Sequence, residues 1–183
     1  MVEHDDSNGL QIVHLGTCGK EQWRLAVGSS KLCYAPDEAV VGPGEVTYLP
    51  IDACGDALPH PQIVTVDANG HMVGDIATFP QRPLLVGADA TVYAVENGSA
   101  PSATNLVAFT PGLHEKWRVP LNGTFPLSSS AALADDGVLY LQVGGADGND
   151  VVAIQTTSPG LAATPWPSVG ADNRGSNWAA GKY

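Results

Sequence analysis

The side chains able to carry chemistry in this 183-residue chain are few and scattered. Cys18, Cys33 and Cys54 permit at most one internal disulfide and leave a thiol over, and no CxxC or Cys/His spacing suggests a zinc cage. Free buried thiols and one bridge are the two readings, and an oxidising compartment would select the bridge. His4, His14, His60, His71 and His114 are never four residues apart, and none stands beside a Ser or Cys in a GxSxG setting. Ser128, Ser129 and Ser130 form a polar strand entry, so no nucleophile and base can be paired.

Oxygen ligands offer slightly more. Asp67-Ala68-Asn69-Gly70 and Ala146-Asp147-Gly148-Asn149-Asp150 place carboxylate and amide groups in short runs, the donor set that holds calcium. Asp147, Asn149 and Asp150 are the candidate ligands. Tight turns demand the same residue types and the longer EF-type spacing is absent, so turn chemistry is the preferred reading and no cofactor is expected. Asn97-Gly98-Ser99 and Asn122-Gly123-Thr124 match the glycosylation pattern but also form ordinary Asn-Gly turns.

Charge narrows the choice of partner. Eight Lys and Arg against 19 Asp and Glu give a formal charge of −11, opposite to what nucleic acid or an anionic membrane requires. No stretch approaches the ~20 apolar residues of a membrane span. The first nine residues, MVEHDDSNG, have neither the basic start nor the apolar middle of a secretory signal.

The elements that must carry these residues emerge from a repeat. Residues 11–25, QIVHLGTCGKEQWRL, align without a gap on 105–119, NLVAFTPGLHEKWRV, at an offset of 94, matching Trp23 to Trp117, Arg24 to Arg118 and Glu21 to Glu115. Residues 62–76 form an intermediate copy with Gly74 in place of tryptophan, and a further copy runs from Asp150 to Trp166. A second element, EVTYLP, ATVYAV and GVLYLQ, precedes the last three copies and carries Tyr48, Tyr93 and Tyr140. Gly and Pro number 21 and 14, and no long apolar stripe has helical spacing, so the chain is expected to be all-β. Each unit of about 45 residues predicts four short antiparallel strands, the pattern of a propeller blade. Blades are predicted at residues 39–78, 84–121 and 128–170, with a half blade at 10–28 contributing only its two outer strands and a tail at 171–183. In the 128–170 blade the fourth strand is expected at 165–169. Trp23, Trp117, Trp166 and the three tyrosines are expected to pack between neighbouring blades, because a recurrent aromatic buries a large apolar area.

This pattern resembles the pyrroloquinoline-quinone-like propeller repeat of bacteria, whose blade runs Gly-x-Val-Tyr-Ala, a loop, Leu-x-Ala-Phe/Leu-Asp, a glycine turn and an outer-strand tryptophan. Residues 90–120 carry the likeness best, and 164–177, TPWPSVGADNRGSN, resembles the segment that ends such repeat proteins. The resemblance implies a partial propeller of about three and a half blades, where family members usually have seven or eight. It also implies a cell-surface, periplasmic or secreted setting and a non-enzymatic role in binding protein, peptide or glycan. The family's quinoprotein dehydrogenases would require a calcium site, a catalytic Asp and often an adjacent cysteine pair, none recognisable here. A fragment of such an oxidoreductase and an assembly module that pairs through its open blade edges are the rival readings.

Overall fold

A computed structural model describes residues 2–5, 9–28, 39–51, 61–77, 80–97, 103–123, 131–145, 148–164 and 167–168. Fourteen strands form four antiparallel sheets, and the described residues contain no α-helix. The first sheet comprises β1 (Val2–Asp5), β2 (Gly9–Leu15) and β3 (Glu21–Gly28). The second comprises β4 (Val40–Gly42), β5 (Val46–Ile51), β6 (Gln62–Val66) and β7 (Met72–Ala77). The third comprises β8 (Pro80–Val86), β9 (Val92–Asn97), β10 (Ala103–Phe109) and β11 (Glu115–Asn122). The fourth comprises β12 (Ala131–Leu133), β13 (Val138–Gly145) and β14 (Gly148–Gln155). Each is a meander, its strands hydrogen-bonded in chain order.

Successive side chains of a strand point to opposite faces, and the middle sheets are apolar on both. In β9, Val92 and Ala94 face the second sheet, while Tyr93 and Val95 face the fourth. In β10 the division is Val107 and Phe109 against Leu106 and Ala108. Three apolar layers result: Ile12, Val27 and Trp23 against Leu49, Ile51, Val64 and Val66; Val40, Tyr48 and Ile63 against the third sheet; and the third sheet against Leu133, Leu139, Leu141 and Val143. The sheets therefore stack face on face in sequence order. None of these layers joins the first sheet to the last.

A five-residue turn with a left-handed fourth residue recurs six times. Residues 16–20, 42–46, 67–71, 87–91, 110–114 and 134–138 each put the fourth residue at positive φ: Gly19, Glu45, Gly70, Ala90, Leu113 and Gly137. In five of them the first amide bonds the fifth carbonyl and the fourth amide bonds the first carbonyl. In 67–71, 87–91, 110–114 and 134–138 this is a type I turn followed by a left-handed residue, which suits the twist of a short hairpin, whereas in 16–20 and 42–46 the third residue, Cys18 (φ 63°) or Gly44 (φ +76°), is left-handed as well. Because strands alternate in direction, all six turns lie at one end of the sheets.

Two boundaries differ from the sequence expectation. The first sheet has a third strand, β1, in register Val2↔Ile12 to Asp5↔Gly9, so it is more than a half blade. The fourth sheet has no fourth strand among the described residues. Instead the chain turns away after β14, and two isolated antiparallel bridges, Gly87↔Leu161 and Leu85↔Ser168, join described residues that follow it to the outer edge of β8. Ala88 and Ala162 amides donate to the Gly160 and Val86 carbonyls, the Val86 amide donates to Pro167, and the Thr164 hydroxyl reaches the Val41 carbonyl of β4. An unpaired strand edge is a liability, and these bonds satisfy the Val86 amide and carbonyl and the Ala88 amide at the edge of β8. β8 also lies beside both β4 and β12, so this segment fastens the sheets where their first strands approach.

The turn design makes a pair of expected outcomes. Glu45 is exposed with φ 60°, so Glu45→Gly should stabilise the chain by about 0.5–1 kcal/mol by removing left-handed strain. Gly70 has φ +84° and a β-carbon there would lie 2.7 Å from the Trp23 ring, so Gly70→Ala should cost on the order of 1–3 kcal/mol. Denaturant titrations of both variants measure the two shifts.

Candidate functional site

The richest polar cluster lies where the 87–91 turn, β11 and residues 156–160 meet. Asp89 accepts from the Thr91 amide through Oδ1 (3.1 Å) and from the Thr91 hydroxyl through Oδ2 (2.8 Å). Lys116 Nζ donates to Thr91 Oγ1 at 2.7 Å and stands 3.5 Å from Asp89 Oδ2. The Asp89 amide and carboxylate also meet the Ser158 and Thr157 hydroxyls, each at 3.5 Å, while Ser158 donates to the Gly160 carbonyl. Burial pushes the Asp89 carboxyl up, but the Thr91 and Ser158 hydrogen bonds and the Lys116 charge outweigh it, and the net direction is downward. Tyr93 closes the cluster from below. Its hydroxyl is buried near Thr91 and Thr156 without a bond of normal geometry, and burial raises its phenol.

Catalysis is a poor use of this arrangement. Thr91, whose hydroxyl meets both Asp89 and Lys116, and Ser158 are 1% exposed and cannot meet a substrate without the turn opening. Asp89 is held by four neighbours, and an ion pair this exposed adds little by itself. The cluster ties the terminal segment to the third sheet.

The other turns consume their carboxylates in the same way. Asp67 accepts from the Asn69 and His71 amides at 2.9 and 2.8 Å, which holds it below its ordinary range, the His71 amide contributing most. Asp136 accepts from the Val138 amide. Asn149 and Asp150 belong to β14, where adjacent residues point to opposite faces, so the two cannot clasp one ion from the same side. Asp147 lies outside the described residues. No group of three metal-binding side chains occurs among those that are described. Cys18 is an exposed free thiol in the 16–20 turn; Cys33 and Cys54 lie outside the described residues.

The aromatic repeat positions divide. Trp23 is half-buried, donates to the Ala68 carbonyl at 2.9 Å and covers the 67–71 turn of the second sheet. Trp117 is half-buried against the fourth sheet, tilted on Tyr93 at 5.8 Å between ring centroids. Trp166 lies outside the described residues. Tyr48 and Tyr93 are 1% exposed, and Tyr48 donates to the Pro111 carbonyl in the outer turn of the third sheet. Tyr140 departs from the expectation: it is 41% exposed.

The reason is positional. Tyr48 faces the third sheet and Tyr93 the fourth, so each repeat tyrosine points at the sheet that follows. Tyr140 points the same way, and no described sheet follows. Its face carries Ala132, Gln142, Val151, Ala153 and Gln155 in register, with Val151 72% exposed. No charged side chain stands on this face of β12, β13 and β14, in a chain with a net charge of −11. The face was missed from sequence because Tyr140 repeats the pattern of buried tyrosines and nothing local records that its cover is missing.

No family model and no curated protein matches this chain.

The Asp89 cluster sets a pH dependence. Its folded carboxyl lies below the unfolded value, so its stabilisation is present above that value and is lost as pH falls through the folded one. Asp89→Asn should therefore lower the melting temperature at neutral pH, and the gap from wild type should narrow below about pH 4. Thermal melts across pH provide the check; a gap independent of pH would contradict the role given to the charge.

Proposed function

We propose that the chain is a non-enzymatic propeller-type repeat module that serves as a binding or scaffolding surface, and that the Tyr140 face is its receptive surface. The exposed, uncharged Tyr140 face carries this reading. A sheet face of aromatic, aliphatic and amide groups has the composition of an interface core, where charged residues are depleted. The carboxylates of Asp67 and Asp89 are engaged in turn and segment contacts, which supports a structural use of the polar residues over a catalytic one. The meander sheets, their serial stacking and the repeated tyrosines support the propeller reading, with the pyrroloquinoline-quinone-like repeat as its model. A cell-surface, periplasmic or secreted setting follows from that likeness alone.

Nile red, a neutral dye that brightens on apolar surfaces, tests the face directly. Native chain at low concentration should enhance its emission, and Tyr140→Glu combined with Val151→Lys should remove most of that signal while leaving the melting temperature within a few degrees. Undiminished emission from a folded double variant would overturn the assignment of the face. Titration with pyrroloquinoline quinone and calcium, followed by dye-linked oxidation of ethanol and glucose, should give no turnover. Dye reduction above the free-quinone blank would instead favour the oxidoreductase reading.

A further inference from the structure

The last strand of each sheet, β3, β7, β11 or β14, has one edge with no neighbouring strand among the described residues, and proteins blunt such edges with charge, proline or a bulge. Three of these four edges are blunted. β3 carries Glu21 and Arg24, β7 carries Asp75, and β11 carries Glu115, Lys116, Arg118 and Pro120. A register shift also breaks the ladder of each against its neighbour, at His14/Leu15 beside β3, Thr65/Val66 beside β7 and Ala108/Phe109 beside β11. β14 has neither device in its second half. Its ladder with β13 runs unbroken from Val138↔Gln155 to Gly145↔Gly148, and from Val151 to Gln155 it holds no charge and no proline.

The register fixes which main-chain groups of β14 are free. In an antiparallel ladder, pairs that exchange main-chain bonds alternate with pairs that do not. The Thr156 amide donates to the Gly137 carbonyl, one step beyond the Val138↔Gln155 pair, so the bonded pairs of this ladder are those of Ile154, Val152 and Asp150. The amides and carbonyls of Asn149, Val151, Ala153 and Gln155 therefore point away from β13. All four residues are exposed, Val151 by 72%.

We infer that two copies of this chain pair β14 to β14, antiparallel about a two-fold axis at Val152, and join their fourth sheets into one. Residues opposite each other in such a pair lie on the same face of the sheet. Centring on Val152 is the register that pairs all four outward residues, setting Val151 against Ala153 and Asn149 against Gln155 for about eight main-chain hydrogen bonds. It also sets each Asp150, the one charged residue of β14, opposite an Ile154, so like charges do not oppose each other across the contact. The contact is isologous: it uses up the edge and closes at two copies. The Tyr140 faces of both copies then lie on one side of the joined sheet, although the pairing does not depend on what that face binds. Like net charge opposes the approach of two copies, so association strengthens as salt screens it.

Sedimentation equilibrium on the full chain, from low to high micromolar and at low and high salt, reads the outcome. A strand edge is a small interface, so wild type should pass from the 18.9 kDa monomer to a dimer as concentration rises, further at high salt, with no larger species. Ala153→Pro removes an outward amide without touching the ladder to β13 and should be monomeric throughout. Val151→Lys places a charge on the edge at an exposed position and should be monomeric too. Met72→Lys, at an exposed apolar position of β7, and Tyr140→Glu, on the face of β13 and off the edge, should both still dimerise. Circular dichroism confirms that each variant keeps its strand content. A wild type that stays monomeric or assembles beyond the dimer would overturn the inference, as would a folded Val151→Lys that still dimerises or a folded Tyr140→Glu that does not. A monomeric wild type that brightens Nile red would refute this pairing and leave the binding-surface reading standing.

Discussion

A sheet with apolar side chains on both faces must be covered twice, and that requirement organises this molecule. β9 and β10 send alternate residues to opposite neighbours, so neither face of the third sheet can meet water without exposing Val, Leu, Tyr or Phe side chains. Burying one such side chain is worth roughly 1.5–3 kcal/mol. The second sheet is bound by the same rule through Tyr48 and Ile63 on one face and Leu49, Ile51 and Val64 on the other. Serial stacking is the arrangement that meets the rule with short meanders, and among the described residues the fourth sheet is the last of the stack.

The edges follow a second constraint. A stack of meanders leaves the first strand of each sheet with unpaired amides and carbonyls. The residues after β14 fill part of this row, bonding Val86 and Ala88 and reaching Val41. The polar residues around them serve that contact. Asp89, Thr91, Lys116 and Ser158 resemble a reactive cluster in composition, yet their hydrogen bonds run between the turn and the terminal segment. Composition and chemistry separate here because the acceptors are already occupied.

Most of the strand order was legible because the repeat is visible twice, once in the Trp23 and Trp117 copies and once in the three tyrosines. β1 was not, since VEHD is short, polar at three of four positions and has no alternation of its own; its pairing to β2 supplies the order. The strand expected at 165–169 was placed by analogy with the preceding unit, and residues 165, 166 and 169 lie outside the described ones. Before it, Ser158-Pro159-Gly160 turns the chain toward β8, with Gly160 at φ +102° and the Ser158 hydroxyl donating to its carbonyl. Asn149 and Asp150 were read as turn residues, and the ladder of β13 and β14 holds them as strand. Of the candidate surface, the residues were visible but the exposure was not. Tyr140 has the same local sequence context as Tyr48 and Tyr93, and burial is a property of what lies opposite.

The central claim is that each repeat tyrosine is covered by the following sheet and that the last lacks its cover. Urea unfolding of Tyr48→Ala, Tyr93→Ala and Tyr140→Ala at low protein concentration compares the three positions directly. The first two should each lose about 3–5 kcal/mol, as expected for removing a fully buried ring, and Tyr140→Ala should lose less than about 1 kcal/mol. Three equal losses would mean that Tyr140 is buried like the others, and the account of an open final face would be wrong.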